Sequence, residues 1–195
     1  MRRLAAGYWK CRAIWAGLLD RPERALGHWR RALALLPDDP RLLVTLACRL
    51  AASGRESESI ALLERAVGVE PGDAASWFNL GFVQQLRGDH HEALESFERA
   101  VRIDPKLDRA WYGKALSLIK LGRLAEAVEP LEKTCALQPL SPYGWYQLGH
   151  LHHRRGERDR VARAIGQLAR FEPRVARRLQ AETGGAPSPE GASWS

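Results

Sequence analysis

Apolar and small residues recur along this chain at steps of three and four, the period of an α-helix with one buried face. Trp77, Leu80 and Gln84 fall at i, i+3 and i+7 on one face of a first helix, and Ala93, Phe97 and Ala100 repeat that kind of spacing on a second. Gly88 stands between them, where glycine can take the left-handed conformation that ends a helix. The pattern is not confined to one place. Pro37, Pro71, Pro105, Pro139 and Pro173 each follow the last by 34 residues, although only 11 of 195 residues are proline. The pattern predicts tandem helical hairpins and an all-α chain.

Aligned on these prolines, the chain divides into five units, 6–39, 40–73, 74–107, 108–141 and 142–175, after a short lead-in at 1–5. The fourth position of each unit reads Trp9, Leu43, Trp77, Trp111 and Trp145, and the twentieth reads Ala25, Ser59, Ala93, Ala127 and Val161. The turn glycine recurs as Gly54, Gly88, Gly122 and Gly156; the first unit has Asp20 and Pro22 instead, a cap and a first-turn proline. Arg12 and Lys114 stand where other units carry Leu, and the second unit has Ala47 in place of Gly81. A short capping helix is expected over 176–182, because an array of hairpins must cover its last apolar face. Residues 183–195 are rich in Gly, Ala, Pro and Ser and read as a disordered tail, in which Trp194 has no assigned role.

The third unit resembles a tetratricopeptide repeat, whose pattern is W-x2-L-G-x2-Y, then A-x3-F, then P. It carries Trp77, Leu80, Gly81, Ala93, Phe97, Ala100 and Pro105, with Gln84 in place of the Tyr. The resemblance implies a right-handed superhelical solenoid of five repeats plus the capping helix. It also implies that positions 2, 5, 9, 12 and 13 of the first helices line a concave groove that holds a partner protein. In that phase the groove presents Lys10 and Arg41, then Phe78, Phe82 and Gln85, then Arg109, Tyr112 and Lys120. The fifth unit adds Tyr143, Tyr146, His150, His153 and Arg154. Asn79 matches one position of the carboxylate clamp of chaperone-binding relatives and Arg109 replaces another. Val44, Cys48 and Gly113 depart from it, so the clamp itself is not reproduced.

With Ile14, Val44, Leu116 and Ile119 also in phase, the groove residues are aromatic, aliphatic, amide or cationic and include no carboxylate, although the chain has 23 Asp and Glu. This composition suits an extended or helical partner segment that is acidic or ends in a C-terminal carboxylate. Net charge is +7, with +4 over residues 1–39 and +5 over 142–182, while 40–141 and the tail carry −1 each. Nucleic acid or an anionic surface is therefore the alternative partner, a lesser one because the basic residues are dispersed.

Little else suggests chemistry. His90-His91-Glu92 fails the H-E-x-x-H pattern at Glu95, and the pair His150 and His153 lacks a third ligand in phase, so no metal site is assigned. Gly113-Lys114 lacks the rest of a P-loop, and no nucleophile has a local base. Neither catalytic residues nor a cofactor are expected. Cys135 reads as a small core residue, whereas Cys11 and Cys48 sit on first helices. Three cysteines without a C-x-x-C pair suit a reducing, cytoplasmic compartment. Lys10 and Arg12 interrupt the apolar start, so neither a cleavable signal nor membrane insertion is expected.

Overall fold

The computed structural model describes residues 1–184, which form eleven α-helices and no strand. They fall into two compact units, Met1–Asp104 and, among the described residues, 105–184. The first contains α1 (Arg2–Leu18), α2 (Pro22–Leu35), α3 (Pro40–Ala52), α4 (Glu56–Val69), α5 (Ala74–Arg87) and α6 (His90–Ile103). The second contains α7 (Asp108–Lys120), α8 (Val128–Leu137), α9 (Pro142–Arg154), α10 (Arg158–Phe171) and α11 (Pro173–Thr183). Within each unit successive helices pair as hairpins, α1 on α2, α3 on α4 and α5 on α6, then α7 on α8 and α9 on α10.

Capping groups set several of the helix starts. The Asp39 carboxylate accepts from the Leu42 amide at 3.1 Å, with Pro40 in the first turn of α3. Asp73 does the same for α5, accepting from the Ser76 amide at 3.0 Å. The hairpin turns share one backbone feature. Gly54, Gly88, Gly122 and Gly156 all have positive φ, and in the first hairpin Asp20 takes that place with φ of 54°. Asp20 is thus not the cap of α2 that the sequence suggested. Arg21 holds that position, and Asp20 makes the left-handed turn because a short polar side chain tolerates it best after glycine.

Two boundaries differ from expectation, and one helix is unusually short. Residues 2–5 belong to α1 rather than to a separate lead-in. The capping helix α11 starts at Pro173, not 176, since proline is suited to a first helical turn, and it runs to Thr183 before a left-handed Gly184. Trp194 and the rest of the tail from 185 lie outside the described residues. In the hairpin of α7 and α8, the second helix begins only at Val128 and has ten residues. Pro130 explains this: it has no amide hydrogen to return to residue 126, so residues 124–127 form turns instead.

The hairpins close where small residues oppose large ones. Phe97 is fully buried against Gly81, at which a Cβ would lie 3.0 Å from two atoms of the Phe97 ring and 3.2 Å from the Ala93 carbonyl. Two departures from the repeat pattern are compensated by hydrogen bonds. Buried Gln84 accepts from the Ser96 hydroxyl at 2.7 Å, and the Ser59 hydroxyl donates to the Ala47 carbonyl at 2.8 Å. Lys114 is likewise accommodated: it lies across the Trp111 ring at 5.7 Å, its charge outside the core.

The 34-residue spacing of the prolines has a direct structural counterpart. The indole N–H of Trp77 donates to the Pro71 carbonyl at 2.9 Å, Trp111 to Pro105 at 2.9 Å and Trp145 to Pro139 at 3.0 Å. In each case the indole ties its helix to the loop six residues before it. Trp9 has no such proline; its ring stacks instead on His28, and the Arg31 guanidinium lies 4.6 Å from its centre.

Gly81→Leu should destabilise the first unit by about 1–3 kcal/mol, since the Phe97 ring has nowhere to move. Urea titration followed by helical circular dichroism measures this; an unchanged midpoint would contradict the close approach of α5 and α6.

Candidate functional site

In the second unit, α9 and α11 bring together residues from distant parts of the sequence. Gly149 on α9 is the contact that lets α11 in: a Cβ there would lie 2.5 Å from the buried Leu179 side chain. Leu179 and Ala176 bury against Val161, Ile165 and Leu168 of α10, with Trp145 and Tyr146 of α9 beside them. That packing carries Glu182 to α9. Its Oε2 accepts from the Tyr146 hydroxyl at 2.5 Å and lies 2.9 Å from His150 Nε2, while Oε1 accepts from Arg178 Nε at 2.9 Å.

Three donors around one carboxylate favour its charged form. The Tyr146 hydroxyl first, then Arg178, hold the Glu182 carboxyl down at about 2. Tyr146 responds in the opposite sense; burial and the Glu182 hydrogen bond raise its hydroxyl above the ordinary tyrosine value. The face predicted to lack carboxylates therefore contains one, supplied by the chain's own capping helix. The sequence did not signal this, because Glu182 lies 36 residues from Tyr146 and outside the first helices.

The remaining predicted residues of this unit are differently placed. Tyr112 is half-buried on α7 and hydrogen-bonded to Gln147 of α9, with Tyr143 close by. Tyr143, Arg109, Lys120, His153 and Arg154 are exposed. His150 and His153 do not act as a pair: His150 faces Glu182, and His153 is exposed to solvent. The histidine that is buried is His152, which the sequence reading passed over. Its Nδ1 lies 2.6 Å from Glu157 in the turn before α10, and burial lowers its pKa from the ordinary 6.5. It fastens the α9–α10 turn.

In the first unit the predicted residues form a separate, more apolar face. Phe78 and Phe82 stack at 6.3 Å on α5, and Phe78 also meets the buried Phe97 at 6.0 Å. Phe82 is exposed, with half-buried Asn79 and Gln85 on the same helix. Arg41 is exposed on α3. Lys10 is engaged internally: its Nζ lies 3.5 Å from Asp39, the capping residue of α3.

Among the described residues no group of three His, Cys, Asp or Glu could hold a metal. Cys135 is buried, and desolvation pushes its thiol up to about 12, which removes it as a nucleophile at neutral pH. Cys11 and Cys48 are exposed and free. A cleft of about 510 Å³ lies between α8, α9 and α10, lined by Cys135, Trp145, His152 and Arg160, and none of the predicted groove residues borders it. No described helix is long and apolar enough to cross a membrane.

The tandem hairpins, the indole–proline ties and the small-residue contacts define an all-α helical-repeat protein. Tetratricopeptide-repeat models match residues 74–107 and 108–139. The fold is shared with MamA (residues 41 to the end) from Desulfovibrio magneticus RS-1, which is 20% identical with a TM-score of 0.79 over 86% of this chain and 95% of that one. It is shared also with YrrB, a tetratricopeptide protein with an unusual peptide-binding site, at 18% identity and a TM-score of 0.74 over 89% and 90% of the two chains. TTC0263, a thermophilic tetratricopeptide protein of Thermus thermophilus, is 19% identical, with a TM-score of 0.61 over 92% and 97%. No curated protein matches the chain in sequence. Residues 74–107 and 108–139 thus match tetratricopeptide repeats, which are protein-interaction modules, and the described helices share the fold of tetratricopeptide-repeat proteins.

The pKa of Glu182 is lowered from 4.5 to about 2, so its ion cluster stabilises the fold above pH 4.5 and that contribution is lost as pH falls toward 2. Thermal melts of the parent chain and Glu182→Gln should accordingly differ at pH 6 and converge near pH 2. A gap that persists at pH 2 would show that the charge of Glu182 is not what holds α11.

Proposed function

We propose that this protein is a non-enzymatic adaptor or assembly factor that holds an acidic partner segment on the α7–α9 face of its second unit. The observation that carries this reading is the Glu182 carboxylate seated on Tyr146, His150 and Arg178. A face that already binds one carboxylate in this way has the donors to bind another. The exposed Tyr143, Arg109 and Arg154 extend the same chemistry, with rigid aromatic area for contact and guanidinium groups for acidic side chains or a C-terminal carboxylate. Glu182 then acts as an internal stand-in that the partner's acid replaces. The apolar Phe78–Phe82 face of the first unit is a second contact surface, suited to the apolar side of the same kind of segment. YrrB, with its peptide-binding site, supports a peptide as the class of partner. We place the protein in the cytoplasm, where its free cysteines stay reduced.

Fluorescence anisotropy with a labelled Glu-rich peptide carrying a free C-terminal carboxylate tests this. Binding should exceed that of a Lys-rich control, and Tyr112→Ala with Tyr146→Ala should abolish it while the helical signal is kept. Glu182→Gln should strengthen it by removing the competitor. Equal binding of both peptides would refute the acidic assignment, and a duplex of random sequence that binds better, with a steep salt dependence, would favour nucleic acid.

A further inference from the structure

α1 is built inside out. Its buried residues are Ala6, Ala13 and Ala16 and Trp9 packs partly buried beside them, whereas its other large side chains point away from the core. Leu4 is 81% exposed, Trp15 66% and Leu18 73%, and Tyr8 and Ile14 are also exposed. Leu4, Tyr8, Cys11, Trp15 and Leu18 follow one another at steps of four, three, four and three, one continuous stripe along the helix. At 100° per residue this stripe lies roughly opposite the alanine face that packs on α2 and α3. An exposed Leu or Trp is ordinary when alone, but an aligned row along a whole helix marks an interaction surface.

The capping helix shows that exposure is not the default at an end. α11 buries Ala176 and Leu179 and turns Arg174, Arg177 and Arg178 outward. Such a polar outer face is what a terminal element needs for solubility. α1 has the reverse.

The charges around the stripe select its occupant. α1 carries Arg2, Arg3, Lys10 and Arg12 and no acidic residue. Lys10 is tied to Asp39, and Arg12 donates to the Tyr8 hydroxyl at 2.8 Å while lying over the Tyr8 and Trp9 rings. Arg3 is exposed at one flank of the stripe; exposed Arg2 lies nearer the opposite side, and exposed Arg24 and Arg31 of α2 lie near Trp9 and His28. A second copy on this stripe would set two acid-free helices of four cations each against one another, which like-charge repulsion opposes. An anionic surface meets them with the complementary sign. The stripe suits an apolar boundary: it is about 21 Å long from Leu4 to Leu18, it presents Leu and Trp together, and Tyr8 has a polar tip.

We propose that α1 docks the protein on anionic phospholipid membranes, lying in the interface with Leu4, Trp15 and Leu18 among the acyl chains. The arginines extend along the boundary to the phosphates. This is peripheral attachment and is independent of peptide binding by the second unit.

Co-sedimentation of the full chain with vesicles of phosphatidylcholine alone and of phosphatidylcholine mixed with phosphatidylglycerol tests it. The chain should pellet with the mixed vesicles, only weakly with the neutral ones, and less as salt rises. Trp15→Glu with Leu18→Glu, both at exposed positions, should weaken partition about tenfold or more with unchanged helical signal. Arg2→Gln with Arg3→Gln should weaken it about fivefold per cation. A parent chain left in the supernatant, or a Trp15→Glu, Leu18→Glu variant that pellets equally, overturns the proposal. So does a parent dimer in light scattering that this variant dissociates, since the stripe would then join two copies.

Discussion

A hairpin of two short helices cannot cover both of its own apolar faces, so each hairpin in this protein depends on a neighbouring helix for its stability. The contact that makes the hairpin possible is the one between a small residue and a large one, as between Gly81 and the buried Phe97 ring. The contact that joins one period to the loop before it is the indole of Trp77, Trp111 or Trp145 on a proline carbonyl. A 34-residue period keeps both in phase. Insertion of a single residue between Pro105 and Trp111 would rotate the indole by about 100° and remove it from its acceptor.

The same dependence explains both ends of the helical array. α11 supplies the neighbour that α9 and α10 lack, and Gly149 provides the room for Leu179. Once Leu179 is seated, helical geometry brings Glu182, three residues on, to Tyr146 and His150. The candidate binding face is thus a consequence of capping. At the other end nothing within α1 to α6 covers the outward stripe of Leu4, Trp15 and Leu18, and the surrounding arginines determine what kind of surface can.

Much of the fold could be read directly. Gly88 ends α5 with φ of 93°, Cys135 is buried, and helices run through the residues whose spacing predicted them. What could not be read involved competing local preferences or distant partners. Asp20 looked like a cap because aspartate often is one, yet the turn required its backbone instead. The delayed start of α8 follows from Pro130, whose effect depends on where in the turn it falls. Of the candidate groove, Phe78, Phe82, Tyr112, Tyr143 and Tyr146 lie on the helices assigned to them, while Lys10 is used up by Asp39 and His153 is separated from His150.

The sequence by itself determined the helices, their turns and their repeat, because these rest on interactions within a few residues and recur at a constant spacing. It also determined the charge of each end. Only the tertiary structure decided that a carboxylate occupies the face thought to be free of one, that His152 rather than His150 is buried, and that α1 turns Leu4, Trp15 and Leu18 outward. Each of these depends on which helix packs against which, and therefore on contacts such as that of Tyr146 with Glu182, 36 residues apart, that no local pattern encodes.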